Sequence, residues 1–424
     1  MNTWTRRGFI KAGAAATAAA AFTPRTVSAN DRISIGIIGC RNRGHQVASY
    51  YLNTGQFDLA ALCDCDDAMI DRGRAELDGL LEGKPEPERI KDFRELLDRP
   101  DIDAVAIATP DHWHAAMTAM ALEAGKHVMI EKPASFNIVD GRAMVAAAKK
   151  HPNLVVQVGT QQRSGPHFKE AREFIQSGAL GHIGFCRAWV THTRGEVPIV
   201  PDGPPPETLD YDMWLGPAPS VPYNDERVHY NWRFMKDWGT GEMGNWGAHW
   251  IDIARWCLDL DLPTGVSGTG GTFVTNDAKE WPDTQTVLYE FPRLTMLWEQ
   301  RLWTRHAVNG NGTGVEFGGE NGTLIVTRSW WKYFPRDGET EEHRGRDQNM
   351  PHARNFAEAI RGEAENAAPM EDGHKTAVVC HLGNLAVELN RHLNFDPATE
   401  TFPGDEEANA HRSRPYRAPW TLEA

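Results

Sequence analysis

Residues 33–48 read ISIGIIGCRNRGHQVA. Ile33 to Ile38 has the composition of a buried strand, Gly39-Cys40-Arg41-Asn42-Arg43-Gly44 turns the chain, and a helical stretch opens at His45-Gln46-Val47-Ala48. A second short apolar run, Leu59-Ala60-Ala61-Leu62-Cys63, ends on Asp64, 20 residues after Gly44. That distance matches the acidic residue of a dinucleotide-binding strand–turn–helix–strand unit. Gly39 permits the tight turn, the helix N-terminus faces a pyrophosphate, and Asp64 accepts hydrogen bonds from the adenosine ribose. An acid at this point repels a 2′-phosphate, which favours NAD over NADP. One element departs from the pattern. The middle glycine of G-x-G-x-x-G is Arg41, whose guanidinium is expected to pair with the pyrophosphate itself. The plainer alternative is a strand–turn–helix with an incidental aspartate.

The alternation continues along the chain. Lys84 to Arg89 is a charged, proline-broken loop, and Asp92 is placed to cap a short helix at Phe93-Arg94-Glu95-Leu96-Leu97. Asp103 to Ala108 is the next strand, and Thr109-Pro110-Asp111-His112-Trp113-His114 turns into a helix with Asp111 as its expected cap. The strand His127-Val128-Met129-Ile130 runs into Glu131-Lys132-Pro133. Strands alternating with helices from Ile33 to about Val158 predict a doubly wound parallel sheet, a Rossmann domain. His112 and His114 have no third ligand beside them, so a polar turn is expected and no metal site. The six cysteines show no zinc spacing and read as buried thiols.

The chain begins MNTWTRRGFIKAGAAATAAAAFTPRTVSAND. Arg6-Arg7 before a short alanine-rich run, with a small-residue site at Val27-Ser28-Ala29, reads as a twin-arginine export signal over residues 1–29. The expected destination is the periplasm or another exported location. No run is long and apolar enough for a membrane span. The leader carries four basic residues and no acidic one, so its removal takes the formal charge from −14 to −18. So acidic a chain is poorly matched to nucleic acid or anionic membrane.

Glu131-Lys132-Pro133 following Thr109-Pro110-Asp111-His112-Trp113-His114 resembles the Gfo/Idh/MocA oxidoreductases, the glucose–fructose oxidoreductase and inositol dehydrogenase family. Further matches are Gly159-Thr160-Gln161-Gln162-Arg163, the stretch Tyr211 to Pro219, Gly241-Glu242-Met243-Gly244-Asn245-Trp246-Gly247-Ala248-His249-Trp250-Ile251-Asp252, and the tail Arg412 to Trp420. The tail is similar to that of exported members. The resemblance implies an α/β protein with a Rossmann domain over 30–155. A substrate-binding α/β domain with a large, mainly antiparallel sheet follows over 156–424, and the active site lies between them. It implies NAD held by Gly39, Arg41, Asn42, Arg43, Gly44, Asp64, Thr109, Pro110, His114, Glu131 and Lys132. The family lysine that orients the substrate hydroxyl maps onto Lys132, and the histidine that exchanges its proton maps onto His249. The aspartate of the family's D-x-G-x-H segment is Asn245 here, an amide that hydrogen-bonds but carries no charge.

Read as a helix, Asn245 to Trp256 puts Asn245, His249, Asp252 and Trp256 on one side. Asp252 is then expected to orient His249, the alternative being a structural helix residue. Gln161, Gln162 and Arg163 are placed either to meet sugar hydroxyls or to cap the preceding strand. Seven of the 15 tryptophans fall between Trp189 and Trp256. Trp246 and Trp250 share a stripe with Ile253 and read as core, leaving Trp214, Trp232 or Trp238 to stack on a sugar face, with Arg233 nearby. Thr286 to Phe291 and Leu294 to Trp298 read as neighbouring strands, Glu320-Asn321-Gly322 as a hairpin turn, and 337–348 as a solvated loop. His352 to Ile360 and Thr376 to Leu393 read as helices.

The expected function is NAD-dependent oxidation or reduction of a sugar, cyclitol or related carbohydrate, with a tightly held nucleotide recycled within each turnover. A redox-cycling glycosidase and a non-catalytic carbohydrate or nucleotide sensor are the alternatives. A homo-oligomer is expected through an exposed face of the large sheet.

Overall fold

A computed structural model describes residues 32–422; the expected export signal lies outside them. Six parallel strands form the first sheet in the order β3-β2-β1-β4-β5-β6. They are β1 (Ile33–Ile38), β2 (Phe57–Cys63), β3 (Glu88–Ile90), β4 (Ala104–Ile107), β5 (His127–Ile130) and β6 (Val156–Val158). Helices α1 (Asn42–Thr54), α2 (Asp67–Glu76), α3 (His114–Glu123) and α4 (Ile138–Lys150) connect them. β4 and β5 are buried at every residue, as strands covered by helices on both faces must be. Asp92 caps its short helix as expected, accepting from the Arg94 N–H at 2.9 Å. Asp111 does not cap. Its Oδ2 accepts instead from the Thr240 hydroxyl at 2.8 Å.

After α5 (Pro166–Gln176), nine strands build the second sheet, ordered β14-β13-β12-β11-β7-β10-β9-β8-β15. Its members are β7 (Ile183–Thr191), β8 (Gly265–Gly271), β9 (Thr284–Phe291), β10 (Leu294–Arg301), β11 (Thr313–Gly319), β12 (Gly322–Val326), β13 (Trp330–Pro335), β14 (Glu341–Arg344) and β15 (Leu393–Asn394). Only β7 and β10 pair in parallel; the sheet is otherwise antiparallel. Helices α6 (Ala248–Leu258) and α8 (Met370–Leu389) bury Trp250, Ile251, Ile253, Val378, Val379 and Leu382 with the sheet's inner side chains.

Three sequence expectations shift. β6 pairs with β5, so the first sheet ends at Val158 as the alternation predicted and the expected domain boundary at 155 moves past it. Helix α7 (Asn349–Arg361), though late in the chain, packs on α1, with Phe356 against Tyr51 and Phe57 at 5.9 and 6.2 Å between ring centroids. The first domain is therefore completed by a segment expected in the second. Finally, the charged stretch after Asp337 contains the exposed edge strand β14, whose alternating partners hid behind its polarity. Acidic and basic side chains on an edge strand also discourage pairing with other chains.

Candidate active site

The carboxyl edge of the first sheet carries the nucleotide-binding features. Gly39 leaves β1 at φ +91°, and a Cβ there would lie 2.8 Å from the Ala108 carbonyl oxygen. At Gly44 a Cβ would come within 1.8 Å of the Gly39 oxygen, so only glycine lets α1 seat on the turn. No acidic residue occupies the first turn of α1, and its N-terminal N–H groups and dipole suit an anion. Three guanidiniums gather there. Arg41 and Arg233 lie on the same Tyr230 ring at 5.2 and 4.3 Å, and Arg72 donates to the Asn42 side chain at 3.1 Å. None of the three forms a salt bridge among the described residues. Burial, then repulsion from Arg72 and Arg233, pulls the Arg41 pKa below its ordinary value. A pyrophosphate is the anion this cluster suits.

Asp64 ends β2 with Oδ2 on the Cys40 N–H at 2.8 Å and Oδ1 on the Asp66 N–H at 3.1 Å. Burial raises its pKa, opposed by those N–H groups and His229. It faces a cleft shared with Gly39, Arg41, Thr109, Pro110 and Trp232. These residues fit NAD: Asp64 for the ribose hydroxyls, Arg41 and the α1 N-terminus for the pyrophosphate.

A long connection between β7 and α6 covers this cleft. It has its own core, including Val197, Leu209, Trp214, Tyr223 and Phe234. It is tied to the end of β2 by the Asp66–Leu209 bridge and by Asp210 N–H to the Cys65 oxygen at 2.8 Å. His229 Nε2 lies 2.7 Å from Asp66 Oδ2. Hydrogen bonds from Thr208, His229 and Ala68 outweigh burial and hold Asp66 below the usual carboxylate range.

The chemistry-bearing side chains meet where β5 faces α6. Lys132 Nζ donates to Asn245 Oδ1 at 2.7 Å and approaches the Asn245 carbonyl at 3.3 Å. Burial draws its pKa down to about 8, assisted by Arg233 and Arg43 and resisted by Glu131 and Asp111. Asn245 sits not on a regular helix but in a π-helical turn, Met243–Gly247, that leads into α6. Such widened turns re-aim side chains at functional sites. His249, in the first turn of α6, is buried, and its Nδ1 has no hydrogen-bond partner among the described residues. Burial, then the charges of Arg328, Lys132 and Arg43, hold its pKa well below the ordinary value. The ring is neutral at neutral pH and has proton-accepting capacity.

Several expected site residues are placed otherwise. Asp252 does not touch His249; its carboxylate is bound by Arg163 Nε and Nη2, both at 2.8 Å, and by the Thr376 hydroxyl at 2.9 Å. Arg163 also reaches Asp372 at 2.5 Å. Asp252 and Arg163 therefore form a buried tie between α6 and the turn after β6 rather than a substrate contact. Gln162 Oε1 accepts from Arg328 at 3.2 Å, which seats that cation beside His249, whereas buried Gln161 has its Oε1 unpartnered among the described residues. Arg43 is committed to Glu131 at 2.5 Å. That pairing and the charge of Lys132 overcome burial and keep the Glu131 carboxyl below its ordinary range. His114 fastens two loops, its ring nitrogens 2.8 Å from the Pro133 oxygen and 3.1 Å from that of Thr109. Both it and the Arg43–Glu131 pair thus act as supports behind the cofactor edge.

Trp214 and Trp238 are core residues of the covering segment, 5.2 Å apart edge to face. The aromatic beside His249 is Trp246, at 5.9 Å with Arg328 over its ring at 4.7 Å. Its stripe with Trp250 and Ile253 suggested core, and Trp246 is partly buried against that core while its ring also reaches His249. No cluster of metal-binding side chains occurs among the described residues.

Arg72, Glu242, His229 and Arg328 were not singled out from the sequence. Only Glu242 carried a local signal, three residues before Asn245.

Residues 33–160 match the Gfo/Idh/MocA oxidoreductase family's NAD-binding Rossmann fold, and 178–287 with 342–422 match its C-terminal alpha/beta domain. Levoglucosan dehydrogenase from Pseudarthrobacter phenanthrenivorans is 32% identical over 168 residues, 39% of this chain and 36% of that protein. A glycosyl hydrolase family 109 protein from Saccharopolyspora erythraea is 31% identical over 174 residues, 40% of this chain and 37% of that one. The chain thus spans little more than a third of either curated relative. The crystal structure of aldose-aldose oxidoreductase from Caulobacter crescentus, complexed with glycerol, superposes with a TM-score of 0.67 at 20% identity, covering 86% of this chain and 100% of that one. With both of its domains matched, the chain belongs to the Gfo/Idh/MocA oxidoreductase family.

Proposed function

We propose that this protein is an NAD-dependent oxidoreductase of carbohydrates, exported with its nucleotide already bound and returning each hydride within the same catalytic cycle. The single observation that carries the catalytic part is the meeting of Lys132, Asn245 and His249 at the carboxyl end of β5, beside the dinucleotide cleft. When bound there, NAD supplies the hydride acceptor or donor. Lys132, held by Asn245, points its remaining donors at the substrate hydroxyl, and neutral His249 takes that hydroxyl's proton as the carbon is oxidised. Retention of the nucleotide is supported by the covering segment fastened to β2 through Asp66, Asp210 and His229. An exported enzyme has no supply of fresh NAD, which makes retention and internal recycling mutually necessary.

The glycosidase reading is favoured by the family 109 relative. In that reading of this chain, transient oxidation of one sugar permits elimination of its substituent, and water addition and reduction complete a hydrolysis.

The test is to denature the purified protein and identify the released nucleotide, then to add single sugars to native protein and follow reduced-nicotinamide absorbance. Bound NAD and a sugar-dependent rise are expected. Protein empty of nucleotide and unresponsive to sugars with added NAD defeats the proposal. Release of aryl alcohol from aryl glycosides without added cofactor identifies the hydrolytic form.

A further inference from the structure

Asn245 replaces a carboxylate, and the replacement creates a problem that aspartate does not have. Both oxygens of an aspartate accept, so either can face a lysine. An asparagine offers an acceptor on one side and a donor on the other, and the wrong rotamer points N–H at the ammonium. Glu242 lies behind Asn245, with no exposed side-chain surface. Asn245 Nδ2 donates to it, 3.3 Å from both carboxylate oxygens, while Arg194 holds Oε1 from the far side through Nε at 2.8 Å. Lys132 only donates and a carboxylate only accepts, so the amide between them has one satisfied orientation, with Oδ1 on Lys132 at 2.7 Å.

We propose that Glu242 is a positioning residue that fixes the Asn245 amide, and that the pair together do the work of the missing family aspartate. This rests on the reading of Lys132 as the group that holds the substrate hydroxyl. The charge has moved one helical turn back in sequence, and the amide relays its preference to the lysine. The other titratable or charged groups facing Lys132 are Glu131, Asp111, Arg43, Arg233, His249 and Cys380, and those facing Glu242 are Arg194, His192 and Arg233. All of them are left intact by the exchanges below.

The experiment titrates Lys132 without any substrate. Full-length protein is pulsed with trace acetic anhydride across pH 6–10, a range of about four units that brackets an ordinary and a depressed lysine, and Lys132 labelling is read by mass spectrometry. Glu242→Gln can present a donor or an acceptor to Asn245, so the lock is lost. Hydrogen bonding to the charged form holds a pKa up, so the apparent pKa of Lys132 should fall by about half a unit or more, a roughly threefold rise in labelling at pH 7. Adding Asn245→Asp to Glu242→Gln supplies two equivalent acceptors and should restore the value to that of the unsubstituted protein or above. Asn245→Asp alone crowds two carboxylates and should fold less stably than the double variant.

An unchanged Lys132 titration in Glu242→Gln, or a fall that Asn245→Asp does not reverse, overturns the proposal. If Glu242→Gln does not fold, Glu242→Asp withdraws the carboxylate by one methylene. A smaller fall then supports the proposal and no fall overturns it. Because no sugar is involved, the outcome is independent of whether the carbohydrate reading survives its own test. A merely structural role for Glu242 leaves the Lys132 titration of folded Glu242→Gln where it is.

Discussion

Asp252 gives both carboxylate oxygens to Arg163, each at 2.8 Å, and turns away from His249 on the preceding turn of the same helix. The ion pair is buried on both sides, with side chains 4% and 1% exposed, so removing one partner strands a charge in the interior. Asp252→Ala is expected to cost about 3–5 kcal/mol in urea unfolding. The milder Asp252→Asn should also lose stability, while the acid limb of its pH–rate profile stays where it is. A displaced acid limb in that variant would show that Asp252 tunes His249 after all.

How much of this was legible in advance follows from the range of the forces involved. The first sheet announced itself because each step of its pattern is local: Gly39, Gly44 and Asp64 lie within one strand–turn–helix–strand unit. Lys132 and His249 were readable through their motifs. Asp252 misled because helical spacing shows which residues share a face but not which distant partner claims them, and Arg163 is 89 residues away. Trp246 packs against the core as its stripe suggested, but helical spacing gave no sign that its ring would also reach His249. Arg328 and Arg72 carry no sequence signal at all, since their roles arise only when the chain is folded.

Lys132, drawn down to about 8, and His249, held well below its usual range, set a pH window. The lysine must be charged to orient a hydroxyl and the histidine neutral to accept a proton. The pre-steady-state rate of nicotinamide reduction by sugar should therefore be level through neutrality, fall above about pH 8 as the ammonium loses its proton, and fall on the acid side only below the ordinary histidine range. Lys132→Met should lose roughly 10²–10⁴-fold in that rate. In Lys132→Arg, whatever activity remains should have no alkaline limb, because guanidinium does not titrate there.

Arg41 stands where the fingerprint has its middle glycine, and it shares the Tyr230 ring with Arg233. If it holds the pyrophosphate, Arg41→Gly restores the fingerprint yet removes a charge-assisted contact of about 1.5–3 kcal/mol. Nucleotide should then dissociate roughly tenfold faster or more, measured as the fraction of bound NAD surviving gel filtration. Unchanged retention would assign the pyrophosphate to the α1 N-terminus alone.

The covering segment makes the sharper prediction about retention. It crosses the mouth of the nucleotide cleft and is fastened at the end of β2 by backbone pairing and by the 2.7 Å side-chain contact of His229 with Asp66. Backbone bonds survive side-chain exchange, so His229→Gln, which can still donate one hydrogen bond to Asp66, should loosen the segment less than His229→Ala. Both variants should remain folded, because the segment keeps its own apolar core around Trp214 and Phe234. The expected readouts are faster hydrogen exchange at 208–230 and a higher NAD dissociation rate, in the order His229→Ala, His229→Gln, unsubstituted protein. Lowering the pH toward the depressed pKa of Asp66 should act in the same direction, since protonating that carboxyl removes the pair. Equal NAD dissociation rates in all three proteins, alongside faster exchange in the segment, would mean that this cover does not hold the nucleotide.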